Sequence, residues 1–369
     1  MIYTIYPSLD STIYERYPDK NTGIDPILEL KKHTAGESDD LGDVLSNTYN
    51  SRILIKLDLT DIQQSIANNT IPTSSKYYLN LKASEADSLP LAYTLYAYPL
   101  AASWTNGTGN YGDIPQTTNG VTWTYRTGKD ANVKWATGSY GANITGSWVT
   151  TTGGATWYTN LAASQSFNYS SPDVRMDITN IVNAWLNNTV VNNGLVLKRA
   201  DSDESSTDIL GSLQFFGLDT HTIYVPKLEV AWNDVSFNTG SLQPLVDDNI
   251  SLYIKNIRPD YAPGSRVKFR LYGRSAFPTK TYATSSAYLD VKYLPSSSYY
   301  SINDTVTNET LIPFDDIYTK ISCDSSGNYF NVWMDSFMPD RYYKIIFKLV
   351  RDSNTTEIYD NGFYFKVIQ

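Results

Sequence analysis

Cysteine occurs once in the 369 residues, at Cys323, so the chain can form no internal disulfide and no cysteine-built zinc cluster. Stability has to come from packing. Histidine occurs twice, at His33 and His221, too far apart for the short fixed spacing of a helical metal pair, in polar surroundings that suit unpaired surface side chains. Lys and Arg number 29 against 38 Asp and Glu, a net charge of -9 with no basic stripe, which excludes the electrostatics of nucleic-acid binding. No apolar run approaches the roughly 20 residues of a membrane span. The start MIYTIYPSLD lacks the basic and apolar segments of a secretion signal, so folding in a reducing cytoplasm is expected. Nucleophile elbow, P-loop and dinucleotide fingerprint are all missing. The acidic pairs Asp39-Asp40, Asp247-Asp248 and Asp315-Asp316 fall in turn and linker segments, not across a readable cleft. No enzyme is expected.

Tyrosine, with 30 residues, leads an aromatic set that includes 12 Phe and 8 Trp, and Ser, Thr, Asn and Gly recur in clusters. Together they predict an all-β chain of extended strands and polar turns. Its length exceeds that of a usual single core. We expect a sandwich with one short helix over residues 1–232, a linker over 233–248, where SFNTGSLQPLVDD is polar and Pro-broken, and a second sandwich over 249–369. Seven or eight short strands punctuated by Pro and Gly in this last part fit an immunoglobulin-like arrangement. In SRILIKLDL (Ser51 to Leu59) the alternation points Ile53, Ile55, Leu57 and Leu59 inward and Arg52, Lys56 and Asp58 away. In Asp177 to Lys198 the apolar residues Ile178, Ile181, Val182, Trp185 and Leu186 follow helical spacing, Asp177 suits the N-cap, an Asn-rich turn ends at Gly194, and Leu195 to Leu197 form a strand. This helix is expected to plug one end of the first sandwich.

Three tryptophans are candidate binding residues. Trp135, Trp148 and Trp157 lie in Gly/Thr-rich stretches without apolar alternation, inside a region from Ser103 to Asn168 that holds five of the eight tryptophans. Such rings can stack on sugars, pack loops onto a sandwich, or bury in a subunit interface. The acidic segment ADSDESSTD offers Asp201, Asp203, Glu204 and Asp208 as oxygen ligands. A calcium loop built on Asp201, Asp203 and Asp208 is the one metal site considered, although Ser206 and Ser212 stand where an EF-hand needs Gly and Glu.

Several segments carry a resemblance: Ser11 to Tyr14 with Asn21-Thr22-Gly23, SRILIKLDLTDI, Trp104 followed by Val121-Thr122-Trp123, DITNIVNAWLNN with Asn193-Gly194-Leu195, and Val225 to Val230. In this order they resemble the DNRLRE-type β-sandwich, a jelly-roll module grouped with carbohydrate-binding modules. The charged Ser-Arg-Glu segment of that family is absent here, where FFGLDTH (Phe215 to His221) stands. The resemblance implies a jelly-roll fold and suggests carbohydrate binding without locating a sugar site. Ser296 to Ile345 looks like segments of virion structural proteins of tailed bacteriophages. That likeness implies a virion component in tail, neck, baseplate or decoration, assembled in the host cytoplasm, with other virion proteins as partners in a symmetric oligomer. The alternative is a carbohydrate-binding module or adhesin recognising host-surface glycans through loop aromatics.

Overall fold

The computed structural model describes residues 1–38, 42–141, 143–146, 151–168, 171–247, 249–255, 257–278, 290–351 and 355–368. The fold is all-β, as the composition predicts, with strands in several sheets whose pairings are mainly antiparallel. The chain divides into two compact units, Ile5–Glu229 and Met1–Thr4 with Val230–Gln369. Among the described residues no helix is long and apolar enough to cross a membrane.

In the unit Ile5–Glu229 the large sheet runs in the order Ala163–Asn168, Ala92–Pro99, Leu195–Arg199, Tyr49–Leu57, Ile27–His33, Ser212–Phe216 and Ala83–Asp87, with Pro7–Tyr14 also paired to Tyr49–Leu57. Tyr49–Leu57 is buried along nearly its whole length. One face carries the expected Ile53, Ile55 and Leu57. Arg52 and Leu54 point the other way; Arg52 was expected to face away from the core, yet both have no exposed surface. The reason is the Trp-rich region, whose Trp104, Trp123, Trp135 and Trp157 pack on Leu54, Ile13 and Val196 to make a second core over the outer face of the sheet. Two buried faces erase the alternation that a half-buried strand would show. His33, expected at the surface, ends its strand with only 6% exposure.

The predicted helix forms over Thr179–Leu186, with Ile178, Ile181, Val182 and Trp185 buried. The Asp177 Oδ1 accepts the Thr179 N–H at 2.9 Å from one residue ahead of the N-cap, a position held by Ile178 and not by the expected Asp177. A second helix, Thr60–Ala67, forms beside the one short helix expected in this unit, and it is the same motif. DLTDIQQSIANN (58–69) and DITNIVNAWLNN (177–188) share five of twelve residues. The shared Asp accepts the N–H of the shared Thr in both, with Asp58 Oδ1 3.0 Å from the Thr60 N–H. The shared Ile62 and Ile181 are both fully buried. The final Asn of each copy, Asn69 and Asn188, takes a left-handed φ of 55° and 54°.

Strand pairing explains the pseudo-symmetry. The first helix leaves Tyr49–Leu57 and enters Lys76–Leu81, and the second leaves Val174–Asp177 and enters Leu195–Arg199. Lys76–Leu81 pairs antiparallel with Val174–Asp177, and Tyr49–Leu57 with Leu195–Arg199, so both helices cross between the same two strand pairs at one end. The plug therefore has two helices where one was expected. Gly194, at φ 88°, lets the chain turn into its strand, and a Cβ there would lie 2.5 Å from the Ile55 carbonyl oxygen.

In the other unit, one sheet is ordered Ile250–Lys255, Arg266–Ser275, Gly327–Trp333, Ser322–Asp324, and the second Asp260–Tyr261, Thr356–Val367, Arg341–Val350, Ser298–Asp304, Thr310–Ile312. Aromatic rings join them across the core. Phe330 stacks on Phe269 at 5.3 Å and meets Phe347 edge-on at 5.8 Å, and Phe269 lies 6.0 Å from Phe365. A strand expected over 286–293 lies partly outside the described residues and appears as Lys292–Tyr293. The expected linker is laced to this unit: the Cys323 N–H donates to Ser236 O at 2.9 Å, the Asn238 N–H to Cys323 O at 3.0 Å, and the Leu245 N–H to Tyr293 O at 2.9 Å. The N-terminal residues also belong here. The Met1 ammonium donates to Trp232 O at 2.5 Å and Asp234 Oδ1 at 2.9 Å, and the Tyr3 ring lies 4.7 Å from Trp333.

Trp185 is 2% exposed and its Nε1 has no hydrogen-bond partner, so its contribution is packing alone. Trp185→Ala is expected to cost about 3–5 kcal/mol in urea unfolding. A loss of under ~1 kcal/mol, the scale of a surface change, would remove the residue from the core.

Candidate functional site

Of the roles open to the candidate tryptophans, the structure places Trp135 and Trp157 in loop packing onto the sandwich. Trp135 is 3% and Trp157 2% exposed, both inside the second core, so neither presents a ring face to a sugar. The Trp135 Nε1–H is satisfied by Thr122 O at 3.0 Å, and the Trp123 Nε1–H by Thr151 O at 3.2 Å. Trp148 lies outside the described residues. The signal that separates these rings from exposed ones is their company: a loop with four tryptophans can cover a sheet face, and buried indoles need only nearby carbonyls.

Beneath those rings lies a cluster of charges. Arg52 and Lys198, both without exposed surface, flank Glu204, which is 3% exposed. The guanidinium holds the carboxylate in a fork, with Nε to Oε1 at 2.9 Å and Nη2 to Oε2 at 2.6 Å, and Lys198 Nζ lies 3.1 Å from Oε2. Arg52 also donates to Gly154 O and lies 4.8 Å from the Trp123 and 5.2 Å from the Trp157 ring centres. Burial pushes the Glu204 carboxyl up, and the two cations beside it more than offset this, holding it below its usual range.

Glu204 is delivered by the helix Asp201–Ser205, the segment considered as a calcium loop. Its Asp201 carboxylate and two of its main-chain carbonyls meet protein cations. Asp201 Oδ1 takes Lys198 Nζ at 2.5 Å, and the buried Lys32 donates to Asp203 O at 2.5 Å and Ser206 O at 2.8 Å. Asp208 is exposed. Among the described residues no three His, Cys, Asp or Glu side chains are placed together as metal ligands. Of the acidic pairs, Asp315 accepts the Ile317 and Tyr318 N–H groups of its own turn, both at 2.8 Å, while Asp39, Asp40 and Asp248 lie outside the described residues.

A second acidic group sits under the loop after Ser212–Phe216. Asp10 is 1% exposed and accepts the Leu218 N–H at 2.6 Å. Burial pushes its carboxyl up to about 7, the Leu218 amide lowers it, and nearby Asp219 and Asp25 raise it further. Asp25 accepts the Tyr111 N–H at 2.9 Å and so positions a loop beside Tyr17.

Among the described residues, surface grooves and one sheet face remain. A groove of about 380 Å³ is lined by Tyr17, Lys20, Tyr111, Asp113, Ile114 and Pro115, but Lys20 Nζ covers the rings, 3.7 Å from the Tyr111 and 4.3 Å from the Tyr17 centre. A groove of about 430 Å³ lies between the two repeated helices, lined by Gln63, Ile66, Thr73, Asn183, Leu186 and Asn187 among others. In the other unit, the outward side of the five-stranded sheet displays Tyr342, Ile358 and Tyr364, 53%, 65% and 49% exposed. Register places Tyr364 opposite Lys344 and Tyr342 opposite Lys366. Those lysines are neutralised by Asp360 at 2.8 Å and Asp340 at 2.7 Å, which leaves the aromatic and aliphatic surfaces dominant.

Glu204→Ala leaves two buried cations without their shared anion and is expected to cost about 3–5 kcal/mol, read by calorimetric or urea unfolding. A near-silent substitution would contradict the network. Asp10 supplies a pH signature. Its folded pKa of about 7 lies above the ordinary unfolded value, so its stabilising contribution is complete in acid and is lost as pH rises through about 7. The unfolding midpoint in urea is therefore expected to be lower at pH 8 than at pH 5.5, and Asp10→Asn to flatten that dependence. An unchanged profile in the variant would assign the dependence to other groups.

No protein-family model matches the chain, and no curated protein matches it.

Proposed function

We propose that the chain is a non-enzymatic structural component of a tailed-phage virion, acting through protein–protein contacts. The observation that carries this reading is the outward sheet face with Tyr342, Ile358 and Tyr364 beside charge-neutralised lysines. Exposed aromatic and aliphatic side chains grouped on a rigid sheet have the composition of an interface centre, where Tyr is enriched and unpaired charge is depleted. Thr356–Val367 and Arg341–Val350 hold these side chains on one long ladder, so the surface is preorganised. The phage-like segment Ser296 to Ile345 supplies Ser298–Asp304, which pairs with Arg341–Val350 in the same sheet. Its partner is a neighbouring protein of the particle.

Glycan recognition is the second reading. It is favoured by the grooves of the unit Ile5–Glu229 lined by Asn183 and by Tyr111, and it no longer draws on Trp135 or Trp157.

Particles sedimented from a lysate containing the full chain test the first reading. The wild-type chain is expected to co-sediment with them. A variant combining Ile358→Asp with Tyr364→Asp is expected to stay folded by circular dichroism and to remain in the free-protein fraction. A wild-type chain confined to the free fraction would end this reading.

A further inference from the structure

We propose that the groove between the helices Thr60–Ala67 and Thr179–Leu186 binds an uncharged segment of a glycan; this rests on the glycan-recognition reading and gives it a place. The groove is a product of the internal repeat. Each copy presents one i, i+3, i+4 face: Gln63, Ile66 and Ala67 from the first, and Asn183, Leu186 and Asn187 from the second. Asn188 and Thr73 complete the wall. Its volume of about 430 Å³ falls within the ~300–1,000 Å³ of small-ligand pockets.

Chemistry selects the ligand. None of the eight lining residues carries a charge, so an acidic or basic ligand would bring a charge with no counter-charge in the groove. Four carboxamides and one hydroxyl converge there, groups that each donate and accept, and none of these five side chains is hydrogen-bonded to another described residue. Vicinal hydroxyls of a sugar ring present the same alternation of donor and acceptor. Ile66 and Leu186 form an apolar patch suited to the C–H side of such a ring. An extended peptide would need backbone groups to pair with, and those at the rim are occupied: the Asn187 N–H bonds Asn183 O at 2.9 Å, Asn188 N–H bonds Trp185 O at 3.0 Å, and Thr189 N–H bonds Ala184 O at 2.9 Å.

Rigidity supports the assignment. The buried Ile62, Ile181 and Trp185 anchor both helices, and Asp58 and Asp177 bond the first-turn Thr60 and Thr179 N–H groups, so the backbones that carry the carboxamides are fixed before a ligand arrives.

The test uses the full chain on an array carrying neutral hexose and N-acetylhexosamine oligomers beside uronate- and sialate-bearing ones. Binding to neutral oligomers is expected, weakened at least about tenfold in Asn183→Ala/Asn187→Ala, the scale of losing two hydrogen bonds. Thermal unfolding of this variant is expected to match the wild type, because neither side chain bonds another described residue. Tyr111→Ala, in the groove beside Lys20, should keep wild-type binding. Binding that survives the Asn183/Asn187 variant and is lost in Tyr111→Ala overturns this site while the glycan reading stands. Binding confined to the acidic oligomers overturns the assignment of an uncharged ligand. Absence of binding to every probe overturns both.

Discussion

Arg52 and Lys198 occupy adjacent antiparallel strands, one residue beyond the register pair Ile53 and Leu197, on the face covered by tryptophans. Like charges placed side by side in a sheet repel, and removing them from water adds a cost of several kcal/mol per ion. One carboxylate resolves both problems. Glu204 reaches back from the short helix Asp201–Ser205 and meets the two cations at 2.6 and 3.1 Å. A fixed arrangement of this kind tolerates little slippage, because a one-residue shift of either strand would point its cation to the opposite face.

That register determines what happens at the far end of the same two strands. Tyr49–Leu57 runs into the first repeated helix, and Leu195–Arg199 emerges from the second. With the strands locked by the ion cluster at one end, the helices are brought together at the other, and the amide-lined groove is where they meet. The charges thus act on the groove through strand register, without contributing a residue to it. The Trp-rich cover has a matching role: it excludes water from the ion cluster and offers ring faces to Arg52, which is why its rings are spent on packing instead of on a ligand.

Much of this was legible in the sequence where one physical signal dominated. The helix Thr179–Leu186 was readable because its apolar stripe, leading Asp and Asn-rich exit agree. Most strands of the C-terminal unit were readable from alternation between Pro and Gly breaks. The first copy of the helix motif was obscured because Gln63, Gln64 and Ser65 stand where the second copy has Val182, Asn183 and Ala184, which weakens the apolar stripe; aligning the two Asp-x-Thr starts and Asn-Asn ends would have exposed it. Arg52 was expected to face away from the core because alternation marks two faces of a strand but does not tell whether the second face is covered. For Trp135 and Trp157 the sequence left sugar stacking and packing onto the sandwich both open, because a Gly/Thr-rich loop has no periodicity from which burial can be read. The membership of Met1–Thr4 in the C-terminal unit depends on a contact across 231 residues, beyond any local signal.

The ion cluster is the point on which strand register, the helix pair and the groove all depend, so the charge state of Glu204 is the decisive quantity. A carbon-detected NMR titration of its side-chain carboxyl measures it directly. The shared anion predicts a carboxylate that stays ionised below the usual glutamate range, with no titration step until the unit unfolds in acid. A step at or above the ordinary glutamate pKa would mean a neutral carboxyl between the two cations, and would contradict an ionic lock on the register.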